Sequence, residues 1–288
     1  LLLFEVGFRK HLNIDPLFTA IALRTLTNKD IESGNRWRSS NTSDLKMTEN
    51  SVRPSPNNSM NRTSAIGSLR GACPAILPSL LLCDFAHLAE EVERLEDAGV
   101  EALHLDVMDG VFVPNFTYGI TVVNAINRIT DLPLDVHLMM VNPEKYIKQF
   151  IDAGSDVLTV HAEATADLVG TLEMIRQAGA APGIAINPAT AVSAISSAIP
   201  HADLVLVMSV QAGFGGQAFD SSVLSKFSQI RECSGGANVL LEIDGGINSE
   251  TIGTATESGA QLLVAGSAIF NHPDYAQAIS AMMSRIKC

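Results

Sequence analysis

The chain has 288 residues, with 19 Lys+Arg against 31 Asp+Glu and 47% hydrophobic residues. That length holds one large or two ordinary domains, since α/β barrels run beyond the usual ~100–200 residues per domain. A net charge of −12 argues against nucleic acid or an anionic membrane as partner, because both repel an acidic surface.

The first part of the chain differs from the rest. Residues 1–71 carry ten Lys/Arg and six Asp/Glu, a net of +4, whereas residues 72–288 carry nine and twenty-five, a net of −16. The opening LLLFEVGFRKHLNIDPLFTAIALRTLT is interrupted by Glu5, Arg9, Lys10 and Asp15, so no run of ~18 apolar residues suggests a membrane span. Nor does it show the basic start, apolar stretch and small-residue cleavage site of a secretory signal. Between Ser33 and Arg70 the chain is rich in Ser, Asn, Thr and Arg, and buries too little apolar surface to offset its ordering entropy. Residues 1–71 therefore read as a disordered extension. It is either an organellar transit peptide, against which its six acids count, or upstream sequence joined to the protein, with Met47 and Met60 as candidate starts.

From Ala75 onward, short aliphatic runs alternate with segments of helical periodicity. The runs are Ala75–Leu82, Ala102–Val107, Leu134–Met139, Val157–Val160, Ala181–Ile186, Leu204–Ser209, Val239–Ile243 and Leu262–Ala265. Between the first two, Phe85, Leu88, Val92 and Leu95 fall on one helical face with acids opposite. Gly99, Gly154, Gly179 and Gly259 each follow a predicted helix, where a C-cap turns left-handed. Eight βα units over residues 72–288 predict a single (β/α)8 TIM barrel, in which chemistry sits at the C-terminal ends of the strands. An open doubly wound sheet would carry a GxGxxG after its first strand, and none is there. Pro78 conflicts with the first strand, because it removes a ladder donor. Cys73, Cys83, Cys233 and Cys288 form no CxxC pair and read as thiols of a reducing compartment.

Alternation along the second strand puts His104, Asp106 and Met108 on one face. The third strand repeats a His and a Met two apart, His137 and Met139, and the seventh ends on Asp244. If these faces point inward, His104, Asp106, His137 and Asp244 converge at the barrel mouth. Two imidazoles and two carboxylates suit a divalent ion such as Zn, Mn, Co or Fe. Met108, Met139 and Met208 either fill core or line an apolar pocket above that site. Glycines follow the last three strands, at Gly213, Gly215 and Gly216, at Gly245 and Gly246, and at Gly266 before Ser267. Such loops let backbone N–H groups approach an anion, and barrels often bind phosphate in their last loops.

LPSLLLCDFAHL, HLDVMDGVFVPNFTYG, DVHLMM, GFGGQ, EIDGGIN and AGSAIF resemble, in order, the signature segments of the ribulose-phosphate 3-epimerase family. The resemblance spans roughly residues 74–286 and leaves out 1–71. It implies that His104, Asp106, His137 and Asp244 hold one divalent metal ion, and that Asp106 and Asp244 are an acid/base pair in which one is protonated while the other is ionised. It further implies that substrate meets Ser79, His137, Asp244, the segment Gly213, Phe214, Gly215 and Gly216, then Gly245, Gly246, Gly266 and Ser267. The reaction implied is C3 epimerisation of D-ribulose 5-phosphate to D-xylulose 5-phosphate through an enediolate, in the pentose phosphate pathway. A sugar phosphate is then the partner, with no nucleic acid or membrane, in a cytoplasmic homo-oligomer, or an organellar one if residues 1–71 are a transit peptide.

Two segments depart from the family pattern. Val210-Gln211-Ala212 stands where Asn or Glu followed by Pro is usual, which is expected to loosen the phosphate loop. Leu82-Cys83 replaces small residues, and is expected to pack at a helix start. Alternatives are a 3-epimerase of a six-carbon ketose phosphate such as allulose 6-phosphate, and a catalytically idle sugar-phosphate binder. A decarboxylase of a related barrel would carry Asp-x-Lys-x-x-Asp, whereas Asp106-Val107-Met108-Asp109 has no lysine.

Overall fold

A computed structural model describes residues 62–235 and 238–286. Eight parallel strands, β1 (Ala75–Pro78), β2 (Leu103–Met108), β3 (Leu134–Met139), β4 (Val157–His161), β5 (Ala181–Ile186), β6 (Leu204–Met208), β7 (Leu240–Asp244) and β8 (Leu262–Ala265), form one sheet in the order β1-β8-β7-β6-β5-β4-β3-β2. A parallel bridge between Ser79 and His104 joins the two ends, so the sheet is nearly closed as a TIM barrel. The first strand is shorter than its apolar run, because Ser79 accepts the Leu81 N–H and starts a 3-10 turn over Leu80–Leu82. Pro78 is tolerated at the seam. Ala75 donates to the Gln261 carbonyl just before β8 and Ser79 to Ala265 of β8, so alternation turns the nitrogen at position 78 toward β2, where only that single bridge is made.

The helices between strands are α2 (Leu88–Asp97), α3 (Ile120–Asn127), α4 (Ile147–Asp152), α5 (Leu168–Ala178), α6 (Ser225–Cys233), α7 (Ile252–Glu257), α8 (Ser267–Phe270) and α9 (Tyr275–Met283), preceded by α1 (Arg62–Ala72). Between β5 and β6 there are two 3-10 turns in place of a helix. α5 shows how sequence sets the ends. Asp167 accepts the Gly170 N–H at its start, and Gly179, at φ 110°, turns the chain at its end. No helix among the described residues is long and apolar enough to cross a membrane.

Alternation along the strands divides the core in two. Leu105, Val107, Leu138, Val160, Ile184, Val207 and Ile243 pack outward beneath the helices with Val92, Leu95, Phe227 and Ile230. Leu77, Leu204, Leu240 and Leu262 fill the lower interior, and Met108, Met139 and Met208 its upper end. Each fully buried aliphatic side chain contributes roughly 1.5–3 kcal/mol. The level between them is different: His104, Asp135, Thr159 and Glu242 are polar and wholly buried. Polar groups there cost stability unless they are partnered, so this level marks where the barrel is built for something other than packing.

The extension needs a correction at its C-terminal end. Residues 62–71, read as part of a disordered extension, belong to α1, and Ala65, Ile66 and Leu69 are buried among the lower interior side chains. The low apolar content averaged over 33–70 hid a short segment in which three apolar residues fall on one helical face and close the bottom of the barrel. The readings of residues 1–61 as disorder, transit peptide or joined sequence lie outside the described residues.

Candidate active site

The strand ends bring His104, Asp106, His137 and Asp244 together, with one potential ligand atom from each lying within 4.8 Å of the others. His104 and His137 are fully buried, Asp106 nearly so, and Asp244 partly exposed. β2 and β3 run in register with Asp106 beside His137, and β6 pairs Met208 with Asp244, which sets the level of all four. The Ser79 hydroxyl donates to Asp106 Oδ2 at 2.6 Å, across the barrel seam.

The carboxyls sit in opposite electrostatic situations. Burial opposes charge on Asp106, yet His104 and His137 outweigh it and hold this carboxyl well below the usual range. Burial and the adjacent Asp106 push Asp244 up to about 7. Burial likewise opposes charge on His104, but Asp106 and Asp135 together raise its pKa well above that of a free imidazole.

The residues fit a divalent cation. His104 Nε2 makes no hydrogen bond, although Asp106 Oδ1 lies 3.3 Å away. Its Nδ1 is 2.6 Å from Asp135 Oδ2, which leaves Nε2 as the ring nitrogen facing the cluster. Asp106 and Asp244 meet in one group of candidate ligands, Asp135 and Glu242 in a second that shares His104, and carboxylates taken out of water call for positive charge. Burial, together with the neighbouring Asp135, drives the Glu242 carboxyl well above the ordinary range.

Above this cluster opens a cleft at the mouth of the barrel. Asp106 and Asp244 reach it at the floor, the three methionines Met108, Met139 and Met208 wall one side, and Ser79, the Gly213–Gly216 loop, Gly245, Gly246, Gly266 and Ser267 line the rest. His137, implied as a substrate contact, lies with His104 outside this lining and below the floor. Gly246 shows why a side chain is excluded: at φ 63°, an added Cβ would come within 2.8 Å of the Phe219 nitrogen.

Both departures find a structural account. The loop after Val210-Gln211-Ala212 is not loose. Gln217 Nε2 donates to the Gln211 and Phe214 carbonyls, Asn115 Nδ2 to the Gly213 carbonyl, and the Ala212 N–H to Asn187 Oδ1. Leu82 does not pack at a helix start. It is 41% exposed, stands in the cleft wall and lies against Gly215 and Gly266.

Sequence reasoning passed over Asp135, His161, Glu163, Asn187 and Glu242. The signal was present for His161, which continues the inward series Val157, Thr159 of β4 one residue beyond the predicted end of that strand.

Known proteins resemble this chain in sequence and in fold. A sequence profile described as the Ribulose-phosphate 3 epimerase family matches residues 75–270. Ribulose-phosphate 3-epimerase of Bacillus subtilis (strain 168) is 46% identical over 208 residues, 71% of this chain and 96% of that one. The chloroplastic ribulose-5-phosphate-3-epimerase of Arabidopsis thaliana is 46% identical over 211 residues, 72% of this chain and 75% of its own. Among solved structures, KGPDC from Streptococcus mutans aligns with a TM-score of 0.55 at 13% identity, over 74% of this chain and 97% of that one, a likeness of fold alone. By the extent and identity of these matches, the chain belongs to the ribulose-phosphate 3-epimerase family of isomerases.

Proposed function

We propose that the chain is a metal-dependent epimerase that interconverts D-ribulose 5-phosphate and D-xylulose 5-phosphate at C3, within the pentose phosphate pathway. The observation that carries this reading is the convergence of two carboxyls, Asp106 and Asp244, at the cleft floor beside two imidazoles. A divalent ion such as Zn, Fe, Mn or Co, held by His104, Asp106, His137 and Asp244, supplies Lewis-acid stabilisation of negative charge developing on substrate oxygen.

Asp106 takes the C3 proton. The C3–H bond breaks, and its electron pair moves toward the adjacent carbonyl oxygen. Asp244 then gives its proton to the opposite face, a new C3–H bond forms, and the configuration inverts. In the reverse direction the two exchange roles. The Ser79 hydroxyl, bonded to Asp106 Oδ2, orients that carboxylate and favours its ionised form. The methionine wall limits water at C3, and the glycine loops offer backbone N–H groups to the phosphate.

The test is C3 epimerisation of D-ribulose 5-phosphate by the purified chain before and after chelation. Activity lost to the chelator and restored by one divalent ion supports the reading. Absence of epimerisation with every ion overturns it in favour of a sugar-phosphate binder.

A further inference from the structure

A line of polar side chains leads away from His137 that proton exchange at C3 does not use. His161 closes β4 and is wholly buried. Its ring stacks on that of His137, with centroids 4.9 Å apart and planes at 28°, and the two Nε2 atoms are 2.8 Å apart. On its other side, His161 Nδ1 lies 3.1 Å from Glu163 Oε2. Glu163 Oε1 accepts the Asn187 N–H at 2.8 Å and the Thr190 hydroxyl. Lys226 secures the same turn by donating to the carbonyls of Asn187, Pro188 and Thr190.

Each contact decides where the next proton sits. An ionised Glu163 has none to give, so the proton between it and His161 belongs to His161 Nδ1. A neutral imidazole carries one donor and one acceptor, so His161 Nε2 then offers a lone pair. The nitrogen facing it, His137 Nε2, must donate. His137 Nδ1 is thereby left unprotonated, 3.1 Å from Asp106 Oδ1 and turned toward the ligand cluster. The order is Glu163, His161, His137.

We propose that Glu163 and His161 are positioning residues, a relay that locks His137 in the tautomer presenting Nδ1 to the divalent ion. This rests on the metal site of the preceding reading. His104 is held by a single carboxylate, Asp135; His137 is held at one remove, through a second imidazole. The relay also explains why a carboxylate stands just past the end of β4, behind the cluster and not in it.

Glu163→Gln separates this role from simple packing. The Asn187 N–H and the Thr190 hydroxyl claim the one remaining oxygen, so the new amide N–H faces His161 Nδ1. The protons then shift along the line, and His137 Nδ1 becomes protonated. Co2+ titrated into the full chain provides the readout, followed by its visible absorption. Expected is a loss of at least ~10-fold in Co2+ affinity for Glu163→Gln, with altered absorption bands and unchanged far-UV circular dichroism. Thr190→Val, which leaves Oε2 free for His161, keeps wild-type affinity. Wild-type Co2+ affinity and spectrum in Glu163→Gln overturn the relay. If that variant does not fold, nitrogen-15 spectra of the unmutated Zn2+-loaded chain decide. The relay requires His161 protonated at Nδ1 and His137 at Nε2, and the opposite tautomer of His161 overturns it. A wild-type chain that binds no Co2+ is a distinct result, which removes the metal reading and the relay with it.

Discussion

His104 Nδ1 lies 2.6 Å from Asp135 Oδ2, a buried contact between adjacent positions of β2 and β3 that directs the other ring nitrogen into the ligand cluster. Removing the acceptor frees the ring to rotate or to change tautomer. Asp135→Ala is expected to weaken divalent-ion binding by about 10–100-fold, and Asp135→Asn, which still offers an oxygen, by less. Equilibrium dialysis against Zn2+ measures both, and equal wild-type affinity in the two variants contradicts this role for Asp135.

Asp106 and Asp244 carry the proton exchange in the proposed mechanism, so each amide variant loses a proton acceptor or donor without losing its shape. Asp106→Asn and Asp244→Asn are each expected to lower epimerisation by about 10²–10⁴-fold or more, the range of one general acid or base. Calorimetric titration with D-ribulose 5-phosphate should still show binding, because the phosphate contacts lie elsewhere in the cleft. A fully active Asp244→Asn protein would sink the two-carboxyl mechanism.

Leu69 of α1 is fully buried against the lower interior of the barrel. Truncation there leaves a cavity that the rigid sheet ends cannot close. Leu69→Ala is expected to cost roughly 2–4 kcal/mol, read as a lower Tm, with activity retained below the transition. An unchanged Tm would show that α1 is not part of the folded barrel.

Asp156 gives a pH dependence with a definite sign. Its carboxyl accepts the Leu134 N–H at 2.9 Å, but burial dominates and pushes it up from 3.8 to about 6. The folded chain therefore holds this proton more tightly than the unfolded one. The contribution to stability is most favourable below about pH 4 and is lost as pH rises through 6. Asp156→Asn keeps an acceptor and removes the charge, so it should be more stable than wild type by about 1–2 kcal/mol at pH 7.5 and no different at pH 4. Urea unfolding at both values tests this, and an equal difference at the two pH values rules out the buried charge as its cause.

Much of this protein was legible along the chain. Strand period and spacing predicted eight βα units, and three strands, Leu134–Met139, Ala181–Ile186 and Leu262–Ala265, have the bounds that the apolar runs indicated. Alternation alone put His104, Asp106 and Met108 on one face, because a strand's side chains repeat every two residues. Glycine runs were visible because few other residues let the backbone approach a ligand so closely.

What the chain order could not express is which residues face one another across the barrel. Ser79 and Asp106 are twenty-seven positions apart and share a hydrogen bond because the seam between β1 and β2 closes there. Asp135, His161, Glu163 and Asn187 read singly as ordinary polar residues near strands. Only the tertiary structure lines the last three up behind His137 and sets Asp135 under His104. The same holds for α1, whose three buried apolar residues are too few to declare a core until the open bottom of a barrel is there to receive them. Local pattern determines elements, because it depends on neighbours in sequence. The protonation states and partners of buried groups depend on neighbours in space, and those exist only once the sheet has closed.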